Sequence, residues 1–289
     1  MENGLRTFIT LLGVVVAAAL GGCSDSDDNG KGGVREVALT LTQVDEGDTR
    51  AVLGESGNKL MAEWAASDRV TYFNLDANQS GTLGVTPDAG NKAMAQFSGM
   101  VACQTDALNK VAIIYPTASV QSGAYTISLA GQDGTLATLA EQFHHIYGLS
   151  TEFYVGSDSP TAQATVTMKS LLTVCKFTFT EGTNAVPVRT LQISYGGSNN
   201  SDSGAYPQSA TVRVGDGRLA PVEGSTTPLT VTCGGEASEV YVALLPTDGQ
   251  RTFHFTVTNS TGSYTGTAKA TLNAGKYVAA KGLKLTIDN

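Results

Sequence analysis

The chain has few of the residues that usually carry chemistry. Its 289 residues include three histidines, four cysteines and one tryptophan, and only 15% are charged. His144 and His145 are adjacent, and adjacent residues on a helix do not face one ligand together. His254 lies between Phe253 and Phe255, on the polar side of an alternating run. No H-E-x-x-H pair, G-x-S-x-G elbow or phosphate-cradling glycine loop occurs. No catalytic set, metal site or cofactor is therefore assigned. A secreted hydrolase is disfavoured, because no nucleophile and base share a pattern. The net charge of −8 argues against nucleic acid as a partner.

Long apolar runs are equally scarce. One spans Phe8 to Leu20 behind Arg6, shorter than the ~20 residues a helix needs to cross a bilayer, and it reads as an export signal. It ends in Leu20-Gly21-Gly22-Cys23. That ending resembles the lipobox of bacterial lipoproteins, in which the cysteine is acylated and becomes the mature N-terminus. Residues 1–23 are thus expected to be a lipoprotein signal peptide, with Cys23 carrying the lipid (palmitate among its acyl chains) that holds the protein at the outer membrane. Residues 24–34 are an acidic, Gly-rich tether that cannot bury enough apolar surface to fold. Its Ser24-Asp-Ser-Asp-Asp28 cluster resembles the surface-export signal of Gram-negative lipoproteins. Asp25, Asp27, Asn29, Gly30 and Glu36 also fit the spacing of an EF-hand calcium loop. An EF-hand needs a helix on each side, whereas a lipidated cysteine and an alternating strand flank this one. The match is read as a coincidence of composition.

What the chain does have is strands and turns. Glycine numbers 33, and serine and threonine are abundant, as in an exported all-β protein. The leading strand is 37–44, where Val37, Leu39 and Leu41 alternate with Ala38, Thr40 and Thr42. Behind it comes an acidic turn and then Arg50-Ala51, an exposed position of the kind proteases cut. Further strands are expected at Arg69–Asn74, Lys110–Pro116 and Ala124–Leu129. The single helix is expected over Thr135–Tyr147, where Leu136, Leu139, Ala140, Phe143 and Tyr147 keep helical spacing behind an Asp133 cap. Breaker-rich residues 156–160 suggest a boundary between an N-terminal β-sandwich, 35–159, and a C-terminal one, 160–289. The second body opens with one long strand, Thr165–Thr180, and ends with Gly282–Ile287. With Cys23 acylated, Cys103, Cys175 and Cys233 leave an odd thiol, and Cys175 reads as a small core residue.

Taken in order, several short fragments resemble the fimbrillin family, the subunits of type V pili. They are the lipobox at Cys23, Asp48-Thr49-Arg50, Trp64 with Asp68-Arg69-Val70, Phe73-Asn74, Phe97-Ser98-Gly99, Tyr115-Pro116 and Gln132-Asp-Gly134. Leu244-Leu-Pro246, Phe253-His-Phe255 and Leu272-Asn-Ala-Gly-Lys-Tyr277 continue the series in the second half. The resemblance implies an all-β fold of two tandem transthyretin-like β-sandwich domains. It implies no enzyme activity, and a structural or adhesive role in a fimbria. It also implies a route to assembly. An Arg-specific protease cuts between Arg50 and Ala51, the strand bearing Val37, Leu39 and Leu41 is removed, and a strand of another pilin subunit fills the groove. Only Leu283-Lys-Leu-Thr-Ile287 follows the last hairpin, fewer strands than stalk subunits carry. If this strand belongs to the C-terminal sandwich, nothing is left to donate, which sets a tip or accessory position level with a place in the stalk. The competing reading is a surface lipoprotein that binds a glycan or another host or bacterial ligand without polymerising. The lone Trp64 argues mildly against a large sugar-binding platform.

Overall fold

The computed structural model describes residues 33–44, 52–56, 59–195, 205–222 and 227–288. Seven strands close into a barrel: β1 (Val34–Val44), β2 (Arg69–Asn74), β3 (Gln79–Pro87), β4 (Ala95–Gln104), β5 (Val111–Tyr115), β6 (Ile146–Ser150) and β7 (Thr161–Ser170). Around the barrel the order is β1-β7-β6-β5-β2-β3-β4 and back to β1. Every pairing is antiparallel except β1 with β7, which run parallel. Val37, Leu39, Leu41, Leu83, Phe97 and Ile113 fill the interior.

Nine further strands form two sandwich-like sheets, beside one three-stranded and two two-stranded sheets. One is built on β8 (Thr173–Glu181), flanked on one edge by β11 (Val240–Leu244) and Asn184–Val186 and on the other by the parallel β14 (Tyr277–Lys284). The other runs β10-β9-β12-β13-β15, made of Leu229–Ala237, Val188–Tyr195, Arg251–Thr258, Ser263–Ala270 and Thr286–Ile287. Phe177 and Phe179 of the first sheet meet Phe255 of the second at 5.3 and 5.9 Å between ring centroids. Among the described residues the architecture is all-β apart from one short helical segment.

The two hydrophobic cores share a wall. In β5, Val111, Ile113 and Tyr115 point into the barrel, while Ala112 and Ile114 belong to the second core. Ile146 and Tyr147 of β6 split the same way, as do Tyr72 and Phe73 of β2. A strand buried on both faces needs apolar side chains at consecutive positions, which explains the unbroken run Val111-Ala-Ile-Ile-Tyr115.

The helical segment is shorter than its spacing suggested. One α turn, Leu136–Thr138, runs into a π turn, Leu139–Phe143, and Ile146–Tyr147 belong to β6. Tyr147 is buried because β6 lines the shared wall, and its hydroxyl donates to the Val214 carbonyl at 2.7 Å. The cap is Thr135, whose side chain accepts from the Thr138 amide. Asp133 ties the turn from outside, accepting from the Thr135 amide at 2.9 Å and the Thr138 hydroxyl at 2.6 Å. The expected strand Thr165–Thr180 is two strands. Its first part belongs to β7 in the barrel, and the chain crosses to β8 through the buried pair Leu171-Leu172.

Candidate functional site: the first strand and its slot

Strand β1 lies in a slot between two strands remote in sequence. On one edge it pairs antiparallel with β4, from Val34 opposite Gln104 to Thr42 opposite Gln96. On the other it pairs parallel with β7, from Ala38 opposite Thr161 to Val44 opposite Thr167. Alternation fixes which side chains face inward. Val37, Leu39 and Leu41 are 0%, 1% and 0% exposed, while Ala38 and Thr42 face out. Burying these three contributes roughly 1.5–3 kcal/mol each. Gly99 of β4 lies opposite Leu39, and a Cβ there would come within 3.0 Å of Leu83 Cδ2. The missing side chain leaves that space to Leu83.

Both ends of the strand are tied by polar contacts. At its start, the Gly33 carbonyl accepts from the Thr105 amide and the Thr105 hydroxyl, each at 2.9 Å. The Arg35 guanidinium donates to the Ser157 carbonyl, and the Ser157 amide donates to Asp106 at 2.9 Å. At the far end, Gln43 continues the inward series and is 5% exposed. Its Oε1 accepts from the Trp64 indole at 3.0 Å, and its Nε2 donates to the Ala93 carbonyl at 3.4 Å. Trp64 is held edge-on against Phe97 and Tyr115, at 5.3 and 5.4 Å between centroids.

Several residues behind the fimbrillin resemblance are thus pegs of the fold. Trp64, Phe97 and Tyr115 form one aromatic cluster at the end of the slot. Asn74 is fully buried, and its amide donates to the Ala102 carbonyl at 2.9 Å and to Asn109 at 3.0 Å. Gln132 accepts from the Ala243 amide at 2.7 Å and donates back to the Ala243 carbonyl at 3.0 Å. Sequence reasoning passed over Gln43. The signal that could have found it is its place in phase with Val37, Leu39 and Leu41.

The expected lipidation and processing residues, Cys23, Arg50 and Ala51, lie outside the described residues. Among the described residues, Cys103, Cys175 and Cys233 are buried and free of disulfides. Burial pushes the Cys103 thiol up to about 11 and the Cys175 thiol to about 12, so neither supplies a thiolate at neutral pH. Burial also lowers His145 to about 4 and keeps its ring neutral. No group of three or more His, Cys, Asp or Glu among the described residues could hold a metal ion.

What this arrangement can do is accept a strand. If β1 leaves, β4 and β7 present unpaired backbone groups beside exposed apolar surface, and one extended segment satisfies both.

No protein-family model matches the chain, and no curated protein matches it in sequence. Solved structures do match. The fold is shared with a bacterial cell adhesion protein. That structure, a protein assigned to cell adhesion from Bacteroides ovatus, covers 89% of this chain and 97% of its own at a TM-score of 0.52 and 11% identity. The fimbrial anchor protein Mfa2 from Porphyromonas gingivalis aligns over 77% of this chain and 78% of its own, at 12% identity and a TM-score of 0.41. A protein assigned as an adhesin, again from Bacteroides ovatus, aligns over 94% of this chain and 99% of its own, at 9% identity and a TM-score of 0.44. At 11% identity the likeness to the cell adhesion protein establishes a shared all-β fold.

Proposed function

We propose that the chain is a structural or adhesive subunit of a type V pilus, assembled by exchange of β1 for a strand of another subunit. The observation that carries this reading is the seating of β1. It has a ladder on each edge, an inward face of three buried apolar side chains followed by Gln43, and the Arg50-Ala51 bond a few residues downstream. In this reading Cys23 is acylated and anchors the precursor at the outer membrane. An Arg-specific protease cuts after Arg50, leaving Ala51 as the new N-terminus, and the vacated slot takes the incoming strand. The role is architectural rather than enzymatic, and the fimbrial and adhesion proteins of similar fold support a place at the cell surface.

Residues 283–288 support an accepting position, at the tip or as an accessory subunit. Leu285 is buried, Thr286–Ile287 pair with β13, and Asp288 accepts from the hydroxyls of Ser263 at 3.1 Å and Thr265 at 2.8 Å. Donating this segment would require breaking all of these contacts. N-terminal sequencing of surface-extracted pili tests the reading. Ala51 is the expected first residue, and an acylated Cys23 on every polymerised copy would overturn it. Labelling with a palmitate analogue should be lost in Cys23→Ala, whereas equal labelling would remove the anchor.

A further inference from the structure

We infer that the slot selects its incoming strand by the side chain at the fourth inward position. Three apolar residues at alternate positions must be followed by a primary amide that takes the place of Gln43. This inference rests on the strand-exchange reading and names the chemistry of the partner: a strand of another subunit, lying in the direction of β1. The reason is the hydrogen bonding at the closed end of the slot. The Trp64 indole is a donor only, 2% exposed, and Gln43 Oε1 is seated on it at 3.0 Å. The Ala93 carbonyl beside it is an acceptor, facing Gln43 Nε2 at 3.4 Å. A group filling this corner must accept from one and donate to the other. Among side chains of this length only the amide of glutamine does both without carrying charge. Leucine or methionine would leave the indole N–H buried and unpaired. Glutamate would accept from the indole but set a buried charge against the Ala93 carbonyl. The first three positions ask only for apolar bulk, which many strands offer. Rejection of wrong strands therefore falls on the fourth.

The chain carries its own probe, because Trp64 is the only tryptophan and gives a single indole N–H resonance. In the intact full-length protein, Gln43→Leu should shift that resonance while the protein stays folded, and an unmoved resonance would overturn the inference. The second measurement uses full-length protein cut after Arg50 and labelled peptides of sequence 34–44. The parent peptide should bind at least about tenfold more tightly than peptides carrying Gln43→Leu or Gln43→Glu. In Trp64→Phe protein the parent and Gln43→Leu peptides should converge. Equal affinities in the parent protein, or discrimination that persists in Trp64→Phe, defeat the amide rule and leave strand exchange standing. Failure of every peptide to bind defeats strand exchange itself and the rule with it.

Discussion

The two outermost strands of the described chain, β1 and the β14–β15 segment, are held in opposite ways. β1 has a neighbour on both edges and presents three fully buried side chains to the barrel. β14 pairs on one edge only, with β8, and its side chains are half-buried or exposed. Within β14 the register to β8 shifts around Gly282, whose φ of 63° lies in the left-handed region. Between residues 277 and 288 the one buried side chain is Leu285. An emptied β1 slot would expose two unpaired strand edges and a strip of core. A displaced β14–β15 would expose the edge of β8, a two-residue stretch of the edge of β13, one fully buried leucine and the half-buried Tyr277, Val278, Ala280 and Leu283. The cost of vacancy is therefore concentrated at β1, and so is the drive to refill it.

The largest expected effect comes from charging the inner face of β1. Leu39→Asp should cost about 4 kcal/mol or more in the uncleaved protein, because it buries an unpaired carboxylate or expels the strand. Thr40→Asp, one residue along, should cost far less, and equal melting midpoints would mean that the inner face does not matter. At the other end, Leu285→Ala should cost about 2–4 kcal/mol in denaturant titration. If it equalled Leu39→Asp, the contrast between the strands would collapse.

Acid provides a third test. The slot residues Val37, Leu39, Leu41 and Gln43 do not titrate, whereas His145 does. Its folded pKa of about 4 lies below the ordinary value of 6.5, so the unfolded chain takes up a proton first. The stabilisation is fully present above pH 6.5 and is lost as pH falls toward 4, by about 2–3 kcal/mol. His145→Phe should flatten that part of the stability–pH curve, and an unchanged slope would dismiss the assignment. Smaller still, Gly99→Ala should cost about 1–2 kcal/mol by crowding Leu83 opposite Leu39, read as a lower melting midpoint of the uncleaved protein. Ile287→Ala, on an exposed side chain, should stay within about 0.5 kcal/mol.

Much of the barrel could be read from local pattern. The alternation of Val37, Leu39 and Leu41 reads as a strand because side chains on a strand repeat every two residues. The unbroken Val111–Tyr115 run is equally legible as a strand buried on both faces. Long-range features left no local trace. Nothing in Thr161–Ser170 announces that it runs parallel to β1, and nothing marks Leu171-Leu172 as the crossing between cores. The helical spacing from Leu136 to Tyr147 misled because burial against the second core, not helix, places Tyr147 inward. Gln43 was passed over because a polar residue looks like the end of an apolar series, whereas here it is the member that meets the indole.

One consequence of the way β1 is seated is mechanical. Ladder hydrogen bonds run across the strand, so a pull along its length loads the ladders to β4 and β7 together, in shear. Slippage would have to break both ladders at once and drag three apolar side chains past their pockets. A sideways pull at one end would open the bonds one pair at a time. If strand exchange builds a fibre as proposed, a strand lying in this slot would resist tension along the fibre and yield to peeling. Such a joint would be strong in the direction in which flow would pull on a tethered filament.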